Sequence, residues 1–381
     1  MIVVAGAGLA GLQTLVALRT QGYRGPLALV GAEAEPPYDR PPLTKEVLLG
    51  RTDSSTLDAD WTALDVDVRL GTRVVEVRDG VARTDAGDLA YDSLVLATGA
   101  RPRVLAGAGG ALTLRTHADA LALRDLLRPG FRLLVVGAGW IGAEVSTAAV
   151  ARGAEVTVVD GASAVLATAL PSEVGERMLP WWRHVDLRLG SPAVEIAARA
   201  AVLADGTTLE ADAVLMAVGA VPEAVPGVEV TKEGAVAVDE HLRTSLPGVL
   251  AVGDCAAWSS RRYGTRMLVE HWDNALHSPA VAAANVLGGD EVWDPVPYFW
   301  SEHWGRMVQY AGRHEGADRI VWRPAGERWA AFWLAGERLV AALAVGRPRD
   351  LVQARKLMER DLAVDADRLA DPAVAVRDCV P

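Results

Sequence analysis

Ile2-Val3-Val4-Ala5-Gly6-Ala7-Gly8-Leu9-Ala10-Gly11 opens the chain, and its reading decides the fold. Four apolar residues predict a buried strand over 2–5. The glycines follow at G-x-G-x-x-G spacing, and apolar residues then predict a helix over 9–21 that stops at Gly22. A second strand is expected over 27–30. Between a strand and a helix, each glycine has a separate reason. Gly6 makes the tight turn, Gly8 lets backbone approach a pyrophosphate, and Gly11 lets the helix pack on the strand. Helix N-terminal amides then hold the phosphates. The acid that usually binds the ribose would end the second strand, where Gly31 stands. Glu33 is the nearest carboxylate, and it is placed to bind ribose or to sit in solvent.

The passage is written twice. Leu134-Val135-Val136-Gly137-Ala138-Gly139-Trp140-Ile141-Gly142 repeats it 131 residues later. Asp85…Leu89…Asp92…Ala97-Thr98-Gly99-Ala100-Arg101-Pro102 is matched by Asp205…Leu209…Asp212…Ala217-Val218-Gly219-Ala220-Val221-Pro222, an offset of 120. Two copies of one domain plan follow, not a solenoid. The second copy predicts a strand over 132–136, a helix over 141–152 ending at Gly153, and a strand over 155–159. Asp160 ends that strand. A carboxylate there accepts from a ribose 2′-OH and repels a 2′-phosphate, and the next basic residue is Arg177, so the site reads as NADH-selective. Val249–Ala256 reads as a third strand-turn-helix. Strands alternating with helices imply α/β architecture with parallel sheets covered on both faces. From about Val296 the pattern changes to strand-like stretches (328–334 and 338–345) and a helix near 350–361, an α+β unit.

The expected division is a discontinuous first dinucleotide domain over 1–113 and 243–295, a second dinucleotide domain over 114–242, and a C-terminal α+β domain over 296–381. Net charge is −11, yet residues 296–381 hold 13 Arg or Lys against 12 Asp or Glu. No global basic field exists, so no nucleic-acid partner is expected. No apolar run approaches the ~18 residues of a membrane span. The N-terminus has no basic n-region, so no signal peptide is expected. The only cysteines, Cys255 and Cys379, form no CxxC or CxxxxC pair, which fits a reducing, cytoplasmic compartment. A monomer or homodimer is expected, with no metal site.

Two dinucleotide sites in this order are the plan of the two-dinucleotide-binding flavoproteins. Tyr38-Asp39-Arg40-Pro41-Pro42-Leu43-Thr44-Lys45 resembles the flavin-contacting segment of the oxygenase-coupled ferredoxin and rubredoxin reductases. Leu246-Pro247-Gly248…Ala251-Val252-Gly253-Asp254 resembles their second flavin motif. Glu270–Ala275 (EHWDNA) and Pro297–Ser301 (PYFWS) resemble two later segments. The resemblance covers essentially the whole chain and implies FAD and NADH as cofactors, with two Rossmann-like domains of the glutathione-reductase type. It also implies that Ala10, Arg40, Lys45 and Arg115 contact FAD and that Val74 meets the adenine side through backbone. Asp254 would bond the ribityl chain, and the Trp272 backbone would meet the isoalloxazine at a helix start. Thr98, Gly99, Gly219 and Ile141 join the cofactor-binding set. Lys45 and Glu144, on the second glycine helix, are expected to pair beside the nicotinamide, where desolvation would perturb them. Trp300 shields the flavin in the resemblance; an aromatic domain interface is its other reading. Lys45, Glu144 and Trp300 form the candidate catalytic set.

Two departures carry weight. Disulfide reductases of this fold place CxxxxC beside the flavin, where this chain has Pro41–Lys45, so electrons are expected to leave the flavin directly. Ala32 stands where relatives often place an acid, which leaves the adenosine ribose to Glu33 or backbone. Residues 185–212 also look short, as if a hairpin were lost. The leading expectation is an NADH-dependent reductase of a [2Fe–2S] ferredoxin serving an oxygenase. The acidic partner is expected to dock on C-terminal arginines such as Arg313, Arg347 or Arg349. Alternatives are a free-standing NADH oxidase or quinone or dye reductase, and an apoptosis-inducing-factor-like redox interaction protein.

Overall fold

The structure is a computed structural model that describes residues 1–105 and 107–381. Ile2–Ala5 is the central strand of a five-stranded sheet. Leu27–Gly31 and Val66–Leu70 lie on one side, Ser93–Leu96 and Val249–Ala251 on the other, and every pairing is parallel. All four residues of Ile2–Ala5 are buried, which is why the strand reads as an unbroken apolar run and not as an alternation. The helix Leu9–Thr20 covers one face with Leu12, Leu15 and Leu18. The helix Trp272–Val286 packs against it, and Gln21 donates across the pair to the Ala280 carbonyl at 2.9 Å.

The second copy builds a four-stranded parallel sheet in the order Asp186–Arg188, Glu155–Val159, Arg132–Val136, Ala213–Met216. Its glycine helix spans Trp140–Ala151. Each copy also carries a three-stranded antiparallel layer. In the first it is Val74–Arg78, Val81–Thr84 and Gly87–Ala90; in the second it is Ala193–Ala197, Ala200–Leu203 and Thr208–Glu210. The short 185–212 segment has thus kept its hairpins, by using strands of three to five residues. Val249–Ala256 also departs from expectation. Val249–Ala251 is a strand, but the 3-10 turn Gly253–Cys255 leads into another strand, Ala256–Ser260. That strand pairs with Val236–Val238 and Thr265–Leu268, and its ladder leaves no room for a helix before Trp272.

A short antiparallel ribbon, Ala100–Pro102 with Ala220–Pro222, carries both crossings between the copies. Side chains sort at this ribbon. Leu105, Ala108 and Ala111 pack with the second sheet, while Val225, Val236, Val238 and Leu242 lie in the first domain's core.

The C-terminal unit is an antiparallel sheet ordered Tyr298–His303, Arg306–Gly312, Arg338–Val345, Arg328–Ala335, Arg319–Ala325. Arg328–Ala335 is apolar along its length because both faces are covered. Ala330, Phe332 and Leu334 pack in a core with Leu351, Ala354 and Leu357 of the helix Pro348–Glu359. Trp329, Ala331 and Trp333 point the other way, into the core of the second copy. The C-terminal sheet is thereby clamped to the second copy. No helix among the described residues is long and apolar enough to cross a membrane.

Candidate functional site

The glycine loops end at the carboxyl edges of their sheets, where open α/β folds hold ligands. Gly6 has φ +120, and a Cβ there would lie 2.0 Å from the Ala97 carbonyl oxygen; at Gly11 it would lie 1.8 Å from that of Gly6. Gly137 and Gly142 repeat this, at 2.3 Å from Ala217 O and 2.0 Å from Gly137 O. Gly8 and Gly139 differ, since a Cβ there would meet no atom within 4 Å. Four of the glycines are thus demanded by packing, and two leave open space. Gly8 and Gly139 are also helix N-caps with no side-chain capping bond. His271 caps the Trp272 helix in the same unadorned way. Free first-turn amides and an open glycine fit a pyrophosphate in both copies.

A cleft of roughly 970 Å³ runs from Gly6, Gly8 and Ala10 to Tyr298–Ser301. Glu33, Arg40, Lys45, Val74, Thr98, Gly99 and Arg115 line it, as do Asp254 and Trp272. From the second copy come Trp140, Ile141, Glu144 and Gly219, and from the C-terminal sheet Phe299, Trp300 and Ser301. Gly11, Gly137, Gly139, Gly142 and Asp160 are not among the lining residues. The volume lies at the upper end of small-molecule sites, and it runs from the first glycine loop to the first turns of the second glycine helix.

Lys45 and Glu144 meet at the join. Lys45 Nζ donates to Glu144 Oε2 at 2.7 Å, with side chains 12% and 6% exposed. Thr44 Oγ1 donates to the same oxygen at 2.5 Å, and Ser301 Oγ to Oε1 at 2.6 Å. One carboxylate therefore ties the 38–45 segment, the second glycine helix and the C-terminal sheet together. Lys45 Nζ also lies 5.0 Å from the Trp300 ring centroid, within cation–π range.

Asp254 pairs with Arg115 at 2.8 Å, and Arg115 Nε is buried with no hydrogen-bond partner among the described residues. An orphaned guanidinium donor at the cleft fits an anionic or oxygen-rich ligand. Arg40 is likewise engaged: it donates to Glu33 Oε1 at 2.9 Å and to the Arg115 carbonyl at 2.5 Å. The Tyr38 hydroxyl donates to the other Glu33 oxygen at 2.5 Å, and burial pushes its phenol well above the ordinary value. Glu33 therefore lines the cleft as part of a protein network, with its side chain still 36% exposed. Thr98 Oγ1 donates to the Glu223 carbonyl, just past the crossing ribbon. Asp160 accepts from the Ala138 amide at 2.7 Å and the Ala162 amide at 2.8 Å, which fixes its carboxylate over the second glycine loop.

Sequence reasoning passed over several residues here. Thr44 and Ser301 were quoted only as parts of motifs. Ser301 is the one small hydroxyl residue on an otherwise aromatic and charged strand, and that is the available signal. Trp272 Nε1 donates to Asp39 at 2.7 Å, and burial raises the Asp39 carboxyl pKa. His271 stacks on Phe299 at 4.5 Å, and burial pushes its imidazole down to about 4. Burial raises the Glu270 carboxyl, as does the nearby Asp254 charge. Of the docking arginines, Arg347 is bonded to Asp350 and Arg313 pairs with Glu315 at 3.3 Å, whereas Arg349 is exposed. Cys255 is buried, its thiol pKa raised by desolvation, and Cys379 lies in a different core. Neither offers a disulfide route.

Comparison with known proteins places this geometry. Residues 1–278 match the family model described as pyridine nucleotide-disulphide oxidoreductase, and residues 298–380 match the reductase C-terminal domain. The ferredoxin–NAD(+) reductase component of the anthranilate 1,2-dioxygenase system of Burkholderia cepacia is 36% identical over 98% of both chains. The crystal structure of Fdr9 superposes with a TM-score of 0.95 at 42% identity, covering 100% of this chain and 99% of that one. The reductase in the covalent putidaredoxin reductase–putidaredoxin complex superposes at 0.93 with 31% identity, covering 99% and 97%. The chain belongs to the pyridine nucleotide-disulphide oxidoreductase family, among the oxygenase-coupled ferredoxin reductases that carry the reductase C-terminal domain.

Proposed function

We propose that the protein is an NADH-dependent, FAD-containing reductase that passes electrons to a [2Fe–2S] ferredoxin serving an oxygenase. The observation that carries this reading is the shared cleft. Two helices that start at open, uncapped glycines serve one cavity, and the Lys45–Glu144 pair sits where the two halves meet. Bound FAD supplies the conversion of a two-electron donor to one-electron delivery, which an iron–sulfur acceptor requires.

In this reading Gly6, Gly8, Ala10 and Gly11 hold the FAD pyrophosphate end. Val74, Thr98, Gly99 and the Glu33–Arg40 network border its adenosine half. Asp254 and Arg115 hold the ribityl chain, and the Trp272 helix start directs its partial positive charge at the ring. Gly137, Gly139, Ile141, Gly142 and Gly219 hold NADH, and Asp160 selects it over NADPH. Glu144 fixes the Lys45 ammonium, with Thr44 and Ser301 restraining the carboxylate, so that the charge stays at the join between the two cofactors. Trp300 closes the cleft over that ammonium and excludes water. The two cysteines, free and buried, suit a cytoplasmic setting.

The test is steady-state turnover of the FAD-loaded protein with NADH and cytochrome c. A large increase on adding a [2Fe–2S] ferredoxin is expected. Oxygen consumption or dye reduction unaffected by ferredoxin would favour a free-standing oxidase. Slow flavin reduction with a persistent charge-transfer band would favour a redox interaction protein.

A further inference from the structure

We propose a second small-molecule site, distinct from the redox cleft, for a planar aromatic anion. A cleft of about 590 Å³ borders the second glycine helix at Thr147 and is roofed by the C-terminal sheet. That is ample for a ring system with a charged substituent.

Its chemistry has two parts. Trp181, Trp304 and Trp329 supply flat apolar surface. Arg177, Arg183 and Arg306 supply positive charge against a single lining carboxylate, Glu327, whose side chain is 88% exposed and 3.7 Å from Arg306. In a chain of net charge −11 this local excess of cations runs against the overall balance.

Arg177 is held by its faces. Its guanidinium carbon lies 5.0 Å from the Trp322 centroid and 5.2 Å from that of Trp329. Arg306 lies 5.1 Å from the Trp181 centroid. Stacking satisfies the face of a guanidinium and leaves the in-plane N–H donors to be met. Among the described residues the exposed Arg177 side chain makes no ion pair or hydrogen bond, and the exposed Arg183 side chain only a 3.3 Å contact with His184. Arg306 also donates to the Trp304 carbonyl at 3.0 Å, and the exposed Arg177 and Arg183 forks face solvent that an anion can displace. Guanidinium forks beside indole surfaces match an anionic group joined to an aromatic ring. The fork binds the carboxylate or phosphate, and the indoles take the ring. An aromatic acid and a purine mononucleotide share this chemistry.

The test is calorimetric titration of FAD-loaded protein, with the variants at this site separating its binding from any in the redox cleft. The probes are 2-naphthoate, AMP and cyclohexanecarboxylate. Saturable binding of naphthoate identifies an aromatic acid, and binding of AMP a mononucleotide; either supports the site. Cyclohexanecarboxylate, which lacks the flat ring, is expected to bind at least about tenfold more weakly. The Arg177→Gln/Arg183→Gln variant is expected to lose about tenfold or more in affinity with the NADH KM unchanged. Glu327→Gln, at an exposed rim position, is expected to bind more tightly. No saturable binding by either aromatic probe, equal binding of cyclohexanecarboxylate, or affinity untouched by all these substitutions would overturn the proposal.

Discussion

Glu144 holds one negative charge on a nearly buried side chain and is met by three donors from two other parts of the molecule. Removing one partner of such a pair leaves an uncompensated charge, at a cost of about 3–5 kcal/mol in a fully buried case. Lys45→Met is therefore expected to lower stability and to slow anaerobic flavin reduction by NADH about tenfold or more, since the ammonium no longer orders the join. Stopped-flow absorbance with the variant saturated in FAD reads this directly, and an unchanged rate would remove Lys45 from the catalytic set. Asp160 makes a separate prediction. On the proposed reading of Asp160, Asp160→Ala is expected to narrow the NADH-over-NADPH preference in kcat/KM about tenfold, by removing a ribose acceptor and a charge that repels a 2′-phosphate. His303 is buried between Trp140 and Trp181, neither ring nitrogen has a partner among the described residues, and burial pushes its pKa from 6.5 down to about 3. The folded state thus favours the neutral ring. Its contribution is complete above pH 6.5 and is lost as pH falls toward 3, by up to about 1.4 kcal/mol per pH unit. His303→Phe is expected to flatten the fall of Tm between pH 7 and about 4.5, and to cost little at pH 7. Parallel curves would show that other groups govern the acid limb. Lys45 and Glu144 were legible as a pair because Lys45 ends the segment that resembles the flavin-contacting one and Glu144 lies on the second glycine helix. The third donor, Ser301, was not, since its contact depends on how the C-terminal sheet docks.

At the scale of elements, the glycine turns separate folding from binding. A methyl at Gly11 would collide with the Gly6 carbonyl, whereas at Gly8 it would enter open space. Gly11→Ala is expected to lower Tm strongly or prevent folding. Gly8→Ala is expected to keep the apoprotein's Tm and weaken FAD binding, because the methyl occupies the approach of the phosphates. Apoprotein Tm and FAD titration distinguish the two, and equal losses of stability would contradict the assignment. These turns were readable from sequence because strand, turn and helix leave a local signature of apolar run, glycine spacing and helical period. The strand after Asp254 was misread as a helix. A glycine turn after a strand does not say which ladder the next residues join, and Ala256–Ser260 pairs with strands from distant parts of the chain. Apolar runs hid another element-level fact. The alternation in Arg328–Ala335 vanishes because both faces are buried, so the sequence alone did not show which face meets the NADH-type domain.

At the scale of the whole molecule, three units converge on one cleft, and charge is unevenly distributed around it. Residues 296–381 carry nearly balanced charge, while the rest holds the acidic excess. A small acidic ferredoxin would be turned toward the C-terminal unit by this asymmetry, with exposed arginines such as Arg349 meeting it. Ferredoxin-dependent kcat/KM is expected to fall as salt rises from about 50 to 500 mM, with NADH-dependent flavin reduction little changed. A flat or rising profile would refute charge-guided docking. The outline of the molecule was legible from the repeat and the order of its motifs. The side-chain network was not, because Tyr38, Glu33, Arg40, Arg115 and Asp254 come from segments up to about 220 residues apart and meet only after folding. The central claim is that two electrons enter from NADH and leave singly to an iron–sulfur partner with no cysteine pair between. Its most direct test is anaerobic: one equivalent of NADH is mixed with FAD-loaded protein and excess oxidised [2Fe–2S] ferredoxin. The cluster's bleaching is then followed by absorbance or paramagnetic resonance, in the wild type and in Cys255→Ala. The account predicts about two ferredoxins reduced per NADH in both proteins. Reduced flavin that leaves the ferredoxin oxidised, or transfer abolished in Cys255→Ala with FAD still bound, would contradict it.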